Sequence, residues 1–269
     1  MNTEIRKASG RALITGASAG LGASFATQLA SRGYDLVLLA RRRDRLKILA
    51  DKLTAEYSVR CEIITADLSD MEAIRKVADY IRQMDHLDML INNAGFATIG
   101  CFADVPLEKS MRMFHVHMTA PVILTHAALP GMLKRERGVV INVSSVAAFT
   151  LTSGNVMYDA TKAFLSVFSE NLLLEMKDAG IKIQALCPGF MHTEFHEVGD
   201  FKNFDTNVIP AFVWMSSDEV VSLSLAALER NKKPVFIPGW KNRLSIWLVG
   251  HSAIYRKLLQ RSVEARARM

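Results

Sequence analysis

The chain has 269 residues, half of them apolar and about a fifth charged, a composition that describes a globular protein with room for a large core. Its three cysteines, Cys61, Cys101 and Cys187, are odd in number and form no CxxC, which argues for reduced thiols and against a disulfide scaffold or zinc knuckle. The net charge of +6 is concentrated: residues 241–269 hold seven Lys/Arg against Glu264, the remaining 26 bases and 26 acids cancel, and the high isoelectric point marks one segment rather than a nucleic-acid enzyme.

The N-terminal stretch MNTEIRKASG has no apolar h-region, and no uncharged apolar run is read as reaching the ~18 residues of a membrane span, so the cytosol is the expected location. RALIT (11–15) predicts a first strand, followed by a Gly-rich turn and a helix to about Ser31. YDLVLLA (34–40) is a continuous apolar run, as expected of a strand covered on both faces of a parallel sheet. A charged helix follows over about 42–57, then a strand at 60–67, a helix at 71–84 and a strand at 87–93. Residues 107–135 predict helix with a break, 138–145 a fifth strand, and 155–179 a long helix stopped by Gly180. A sixth strand is expected at 181–189 and a seventh, at the edge, at 235–238. Strands alternating with helices predict an α/β, Rossmann-like, doubly wound parallel sheet of about seven strands with helices on both faces. With no internal repeat or break in composition, residues 1–269 read as one domain.

The turn after the first strand is Thr15-Gly16-Ala17-Ser18-Ala19-Gly20-Leu21-Gly22. Its glycines permit a tight turn, and the helix it opens presents free N–H groups suited to a pyrophosphate. The strand-to-helix context raises an otherwise weak Gly-rich signal to a dinucleotide-binding one. At the end of the second strand stand Arg41, Arg42 and Arg43, with no acid until Asp44. A carboxylate there would accept from a ribose 2′-OH, whereas guanidinium suits a 2′-phosphate. NADP(H) is therefore expected rather than NAD(H), with Arg41 as the main contact, then Arg42, and Ser18 as a further donor.

Tyr158 and Lys162 lie four apart in the long helix and so share a face. A cation beside a phenol favours phenolate and suits the tyrosine to general acid/base work. Ser145, thirteen residues before Tyr158, ends the fifth strand at the edge where such sheets place ligands, and its hydroxyl can hold a substrate oxygen. YxxxK alone is nearly uninformative; with the Gly-rich turn and a strand-end serine it becomes specific.

Together with Asp67-Leu68, Asn92-Asn93-Ala94-Gly95, Ser144-Ser145, YDATK (158–162) and Pro188-Gly189 with Thr193, the TGASAGLG loop (15–22) makes the chain resemble the short-chain dehydrogenase/reductase family over roughly residues 10–195. The resemblance implies that Asp67 and Leu68 contact adenine, that Asn93, Ala94 and Gly95 line the cofactor, and that Lys162 also holds the nicotinamide ribose. It implies that Tyr158 passes the proton while a hydride moves to or from a carbonyl carbon, and that Pro188, Gly189 and Thr193 flank the nicotinamide.

The chain departs from the family at one place. Aligning Val116-x-Met118-Thr119-Ala120 sets His117 where members carry an asparagine whose main-chain carbonyl holds a relay water. Pro121 has no N–H for the carbonyl of residue 117 and should kink the helix there. His117 is therefore expected to keep the relay through its backbone, with its imidazole as an added proton station or as a mere spacer. A metal on His115 and His117, or on His192 and His196, is disfavoured by spacing and by the lack of further ligands.

Residues 190–217 mix Phe190, Phe195, Phe201, Phe204, Phe212 and Trp214 with polar residues and read either as a lid over an apolar carbonyl or alcohol or as a loop folded into the core. In the tail, Leu244, Trp247, Leu248, His251, Tyr255, Leu258 and Leu259 recur at helical spacing among basic residues, fitting a helix packed on its own domain, an oligomer contact or a peripheral membrane contact. A homodimer or homotetramer is the expected assembly. The expected activity is an NADP(H)-dependent ketone reductase or alcohol dehydrogenase; the alternative is a dinucleotide-binding sensor or scaffold without turnover.

Overall fold

The computed structural model describes residues 10–150, 153–194, 213–230 and 234–251. Phe195, His196, Phe201, Phe204, Phe212, Tyr255, Leu258 and Leu259 lie outside these residues. Seven parallel strands form one sheet in the order β3-β2-β1-β4-β5-β6-β7: β1 (Gly10–Thr15), β2 (Tyr34–Ala40), β3 (Cys61–Thr65), β4 (Met89–Asn92), β5 (Gly138–Val143), β6 (Ile181–Leu186) and β7 (Val235–Phe236). The order reverses between β1 and β4, and the crevice at that switch point, beyond the carboxyl ends of the strands, is where such sheets bind ligands.

Side chains alternate across the sheet, so each strand feeds two cores. Ala12, Ile14, Leu36 and Leu38 pack with α1 (Gly20–Ser31), α2 (Arg43–Tyr57) and α7 (Ser217–Arg230) on one face. Leu13, Val37 and Leu39 pack with α3 (Met71–Gln83), α5 (Ala120–Lys134) and α6 (Val156–Glu175) on the other. The helix α7 has no counterpart in the sequence reading. It is bound to α1 through Ser24, whose hydroxyl donates to Asp218, and through Gln28, which donates to the Asp218 carbonyl at 2.8 Å. Gly180 turns the chain from α6 into β6 at φ +70°, where a Cβ would meet the Glu136 carbonyl oxygen at 2.0 Å.

The predicted break in 107–135 takes another form than a kink. Helix α4 (Leu107–Phe114) passes into a π-turn, His115–Thr119, in which the Ala120 N–H donates to the His115 carbonyl, and α5 restarts at Ala120. Pro121 then comes just after the π-turn, in the first turn of α5, so the wider turn before it takes up the missing N–H. The composite helix 107–134 is long and apolar enough to cross a membrane, contrary to the sequence reading of no such run, but half of that stretch is buried against the sheet, as a core helix is. The last described helix, α8 (Trp240–His251), leaves Trp240, Leu244 and Trp247 exposed.

Candidate active site

The Gly-rich turn forms a cradle that fits a dinucleotide. Gly16 (φ +69°) and Gly20 (φ +53°) hold left-handed backbone that side chains rarely adopt. A Cβ on Gly22 would meet the Gly16 carbonyl oxygen at 2.3 Å, so Leu21 and Gly22 can enter α1 only with the glycine in place. Ala19, the residue before α1, contributes no side-chain cap, so the first N–H groups of the helix face the crevice without one. Thr15 ties this loop to the chain after β4: its hydroxyl accepts from the N–H groups of Asn93 and Ala94, both at 2.9 Å, and the Asn93 amide returns a bond to the Thr15 carbonyl at 2.8 Å.

Beside the cradle, Arg42 donates from Nε and Nη2 to the Ser18 hydroxyl at 3.2 and 3.1 Å. Arg42 and Arg45 also share the Glu194 carboxylate, the first at 2.9 Å, and these two guanidinium groups hold that carboxyl below its ordinary range. Arg41 turns instead to Asp67, 3.8 Å away. Arg42, just before α2, thus reaches the loop, while Arg41, expected as the main phosphate contact, lies beside Asp67. Burial alone would raise the Asp67 carboxyl, but hydrogen bonds from Ser69 and the charges of Arg41 and Arg112 bring it down. Leu68 is buried in the core beneath.

The second half of the site lies on β5 and α6. Ser145 follows β5 in extended backbone, and its Oγ accepts from the Ala147 N–H at 3.1 Å. Its hydroxyl hydrogen bonds the Tyr158 phenol, an interaction that favours phenolate, yet burial outweighs it and pushes Tyr158 up to about 12. Lys162, one helical turn on, places Nζ over the Tyr158 ring, 5.6 Å from its centroid, and donates to the Val143 carbonyl at 2.8 Å. Burial brings this ammonium down to about 8. Burial is the largest influence on both groups, and the Lys162 ammonium lies over the face of the Tyr158 ring.

The two halves meet at Gly95, where a Cβ would lie 2.9 Å from His117 Nε2 and 3.6 Å from Lys162 Nζ. His117 is buried in the π-turn; its Nε2 accepts from the Phe96 N–H at 3.1 Å and its Nδ1 lies 2.9 Å from the Thr161 hydroxyl. Burial and the Lys162 charge hold this imidazole well below its ordinary value, and therefore neutral. His115 points the other way, with Nδ1 3.0 Å from the Ser69 carbonyl. Among the described residues no group of three His, Cys, Asp or Glu could hold a metal ion.

Pro188 and Gly189 close the site on the β6 side. The Pro188 carbonyl accepts from the Val146 N–H at 3.0 Å, and a Cβ on Gly189 would strike Asn242 of α8 at 2.7 Å. Thr193 reaches back over the cradle, its Cβ 3.3 Å from where a Gly20 Cβ would stand. The ends of the expected lid are pinned together: the Met215 N–H donates to the Phe190 carbonyl at 3.0 Å, and His192 stacks on Trp214 at 4.7 Å between ring centroids. Sequence reasoning missed Thr161, Val143 and Asn242 because their parts are played through backbone contacts or across the fold. It missed the Phe96 N–H for the same reason.

Residues 11–200 match the family described as short chain dehydrogenase. The very-long-chain 3-oxoacyl-CoA reductase of Anas platyrhynchos is 34% identical over 194 residues, which are 70% of this chain and 61% of that relative's length. Among solved structures, a short-chain dehydrogenase from Sphingobium yanoikuyae in complex with NADPH is similar at a TM-score of 0.81 and 34% identity, over 91% of this chain and 94% of that one. A bulky-bulky ketone specific alcohol dehydrogenase from Comamonas testosteroni is similar at a TM-score of 0.78 and 31% identity, over 92% and 94%.

Proposed function

The chain belongs to the short-chain dehydrogenase/reductase family, and on that basis we propose that it is an NADP(H)-dependent oxidoreductase acting on an apolar or bulky carbonyl or alcohol. The observation that carries this reading is the continuity of the crevice: the Gly-rich cradle, Gly95, Lys162, Tyr158 and Ser145 follow one another along the carboxyl ends of β1, β4 and β5. With the pyrophosphate of the dinucleotide in that cradle, the nicotinamide would supply or accept the hydride further along the crevice. Ser145 positions the substrate oxygen, the Tyr158 hydroxyl gives it a proton in reduction or takes one in oxidation, and Lys162 steadies the ribose and the charge beside the phenol.

NADP(H) over NAD(H) is supported by the pairing of Arg42 with Ser18, a guanidinium and a hydroxyl side by side where a 2′-phosphate would sit, with Glu194 the carboxylate that such a phosphate would displace from Arg42 and Arg45. The NADPH named in the Sphingobium neighbour agrees with it. An apolar or bulky substrate is supported by Phe190, His192 and Trp214 clustered where the lid departs, and by the bulky ketones and long acyl chains in the names of two relatives.

The test is NADPH oxidation against a panel of fatty, steroid-like and sugar ketones, with Tyr158→Phe beside it. Turnover by the native chain that falls at least about a hundredfold in Tyr158→Phe is expected, the usual range for a lost general acid. Tight NADPH binding without turnover across the panel overturns the enzyme and favours a cofactor-binding scaffold.

A further inference from the structure

His-x-His in this helix looks like a ligand pair, yet the π-turn sends its two rings to opposite sides. His115 meets the Ser69 carbonyl near Asp67, and His117 enters the site between the chain after β4 and helix α6. A π-turn holds one residue more per turn than an α-turn and often marks a functional position. Here it turns residue 117 fully inward, leaving it 1% exposed.

The bonding around this ring fixes its protons. Nε2 accepts from the Phe96 N–H at 3.1 Å, so Nε2 carries none. In a neutral imidazole the other nitrogen must then be protonated. Nδ1–H donates to the Thr161 hydroxyl at 2.9 Å, and that hydroxyl donates onward to the Tyr158 carbonyl at 3.0 Å. Three bonds thus run in one direction, from the backbone after Gly95 through His117 and Thr161 to the backbone of Tyr158. The ring also makes edge contacts with Phe96 at 6.0 Å and Tyr158 at 5.9 Å between centroids. No lone pair is left on it for a proton, and Lys162 in α6 is the cation that faces it.

We infer that His117 is a positioning residue: a neutral, single-tautomer bracket that locks the cofactor-lining Gly95–Phe96 segment to the helix carrying Tyr158 and Lys162, and takes no part in proton transfer. The inference rests on Tyr158 and Lys162 being the reacting pair. It replaces the sequence expectation of an imidazole proton station, since both ring nitrogens are engaged. It also explains why residue 95 must be glycine, because any Cβ there would push the ring out of the bracket.

Asparagine overlays the Nδ1 side of a histidine and glutamine the Nε2 side, so each variant keeps one arm. His117→Asn retains the Thr161 arm, and His117→Gln retains the Phe96 arm. Misplacing a reacting group by an ångström can cost about a hundredfold; accordingly both variants, and Thr161→Val, should lower kcat while the Kd for NADPH, read by fluorescence titration, stays within about twofold. Coupling is the sharper readout. Thr161→Val should cost its full factor in the native chain and almost nothing more in either the His117→Asn or the His117→Gln background, since each of these already breaks one arm of the link, with Thr161→Ser restoring the rate. An equal cost of Thr161→Val in all three backgrounds overturns the bracket. Independently of turnover, ¹⁵N-histidine spectra of the native chain should show His117 protonated at Nδ1 only and unchanged from about pH 5 to pH 9, across the ordinary histidine range. A titrating ring, or a proton on Nε2, overturns the inference even where no substrate is found; if no carbonyl in the panel reacts but the spectra show the fixed tautomer, the activity reading fails and the bracket stands.

Discussion

At the scale of single residues, the site is a contest between charge and burial. Lys162 lies at about 8, below its ordinary 10.5, because burial penalises its ammonium. The ammonium therefore costs the folded state at neutral pH, and the cost is relieved as pH rises from about 8 toward 10.5. If that charge is needed for turnover, kcat/KM for ketone reduction should decline as pH rises through about 8. Tyr158, at about 12, stays a phenol over the same range and adds no limb of its own. Lys162→Arg keeps the charge, so its alkaline limb should move upward; a pH–rate profile with the limb unmoved assigns it to another group. Arg42 and Arg41 divide a second question. Arg42→Ala should weaken NADPH by about tenfold, or ~1.4 kcal/mol, with NADH unchanged, and Arg41→Ala should do less, read as Kd by titration. The sequence placed both arginines after β2, but which of them the start of α2 turns toward Ser18 was not legible, since adjacent residues in one run carry no mark of that.

At the scale of elements, close backbone approach decides what can change. The loop from β1 into α1 was readable from TGASAGLG because its glycines serve local geometry, which a short sequence encodes. Gly22 touches the Gly16 carbonyl so closely that Gly22→Ala must force the turn apart. Thermal unfolding should show a loss well above the ~1 kcal/mol typical of point substitutions in general, and NADPH binding should fall with it. A variant with unchanged Tm and Kd contradicts the cradle. The π-turn shows the opposite case. Pro121 announced a break in the helix, yet the sequence could not show that one extra residue in the turn would absorb it. That choice is made by distant partners, Ser69 on one side and Phe96 and Thr161 on the other. Helix α7 was missed although its start is written locally, with the Ser216 hydroxyl accepting from the Glu219 N–H and Asp218 and Glu219 in its first turn; its packing on α1 through Ser24, Gln28 and Asp218 is what only the fold shows.

At the scale of the whole molecule, the alternation of apolar strands and helices carried the doubly wound sheet, because a parallel sheet buries both faces and so writes continuous apolar runs. What that pattern leaves out is how the site is closed. The carboxyl ends of β1, β4, β5 and β6 are bound across the crevice by Thr15 to Asn93, by Gly95 against His117, and by Pro188 to Val146. A dinucleotide lying along that crevice would touch segments from both sides of the switch point and so should stabilise the whole sheet rather than one loop. A ligand that binds only the folded chain adds RT ln(1 + [L]/Kd), about 2.7 kcal/mol at a hundredfold excess over Kd. For a domain of this size that corresponds to a rise in Tm of roughly 5–10 °C. NADPH at that excess should give such a rise as a single cooperative transition, and NADH at the same concentration a smaller one, since it lacks the phosphate that Arg42 and Ser18 would hold. Equal shifts for the two cofactors would remove the 2′-phosphate from the binding energy and with it the preference for NADP(H). A split transition, with one part insensitive to cofactor, would show that the two halves of the sheet unfold separately and that the crevice does not couple them.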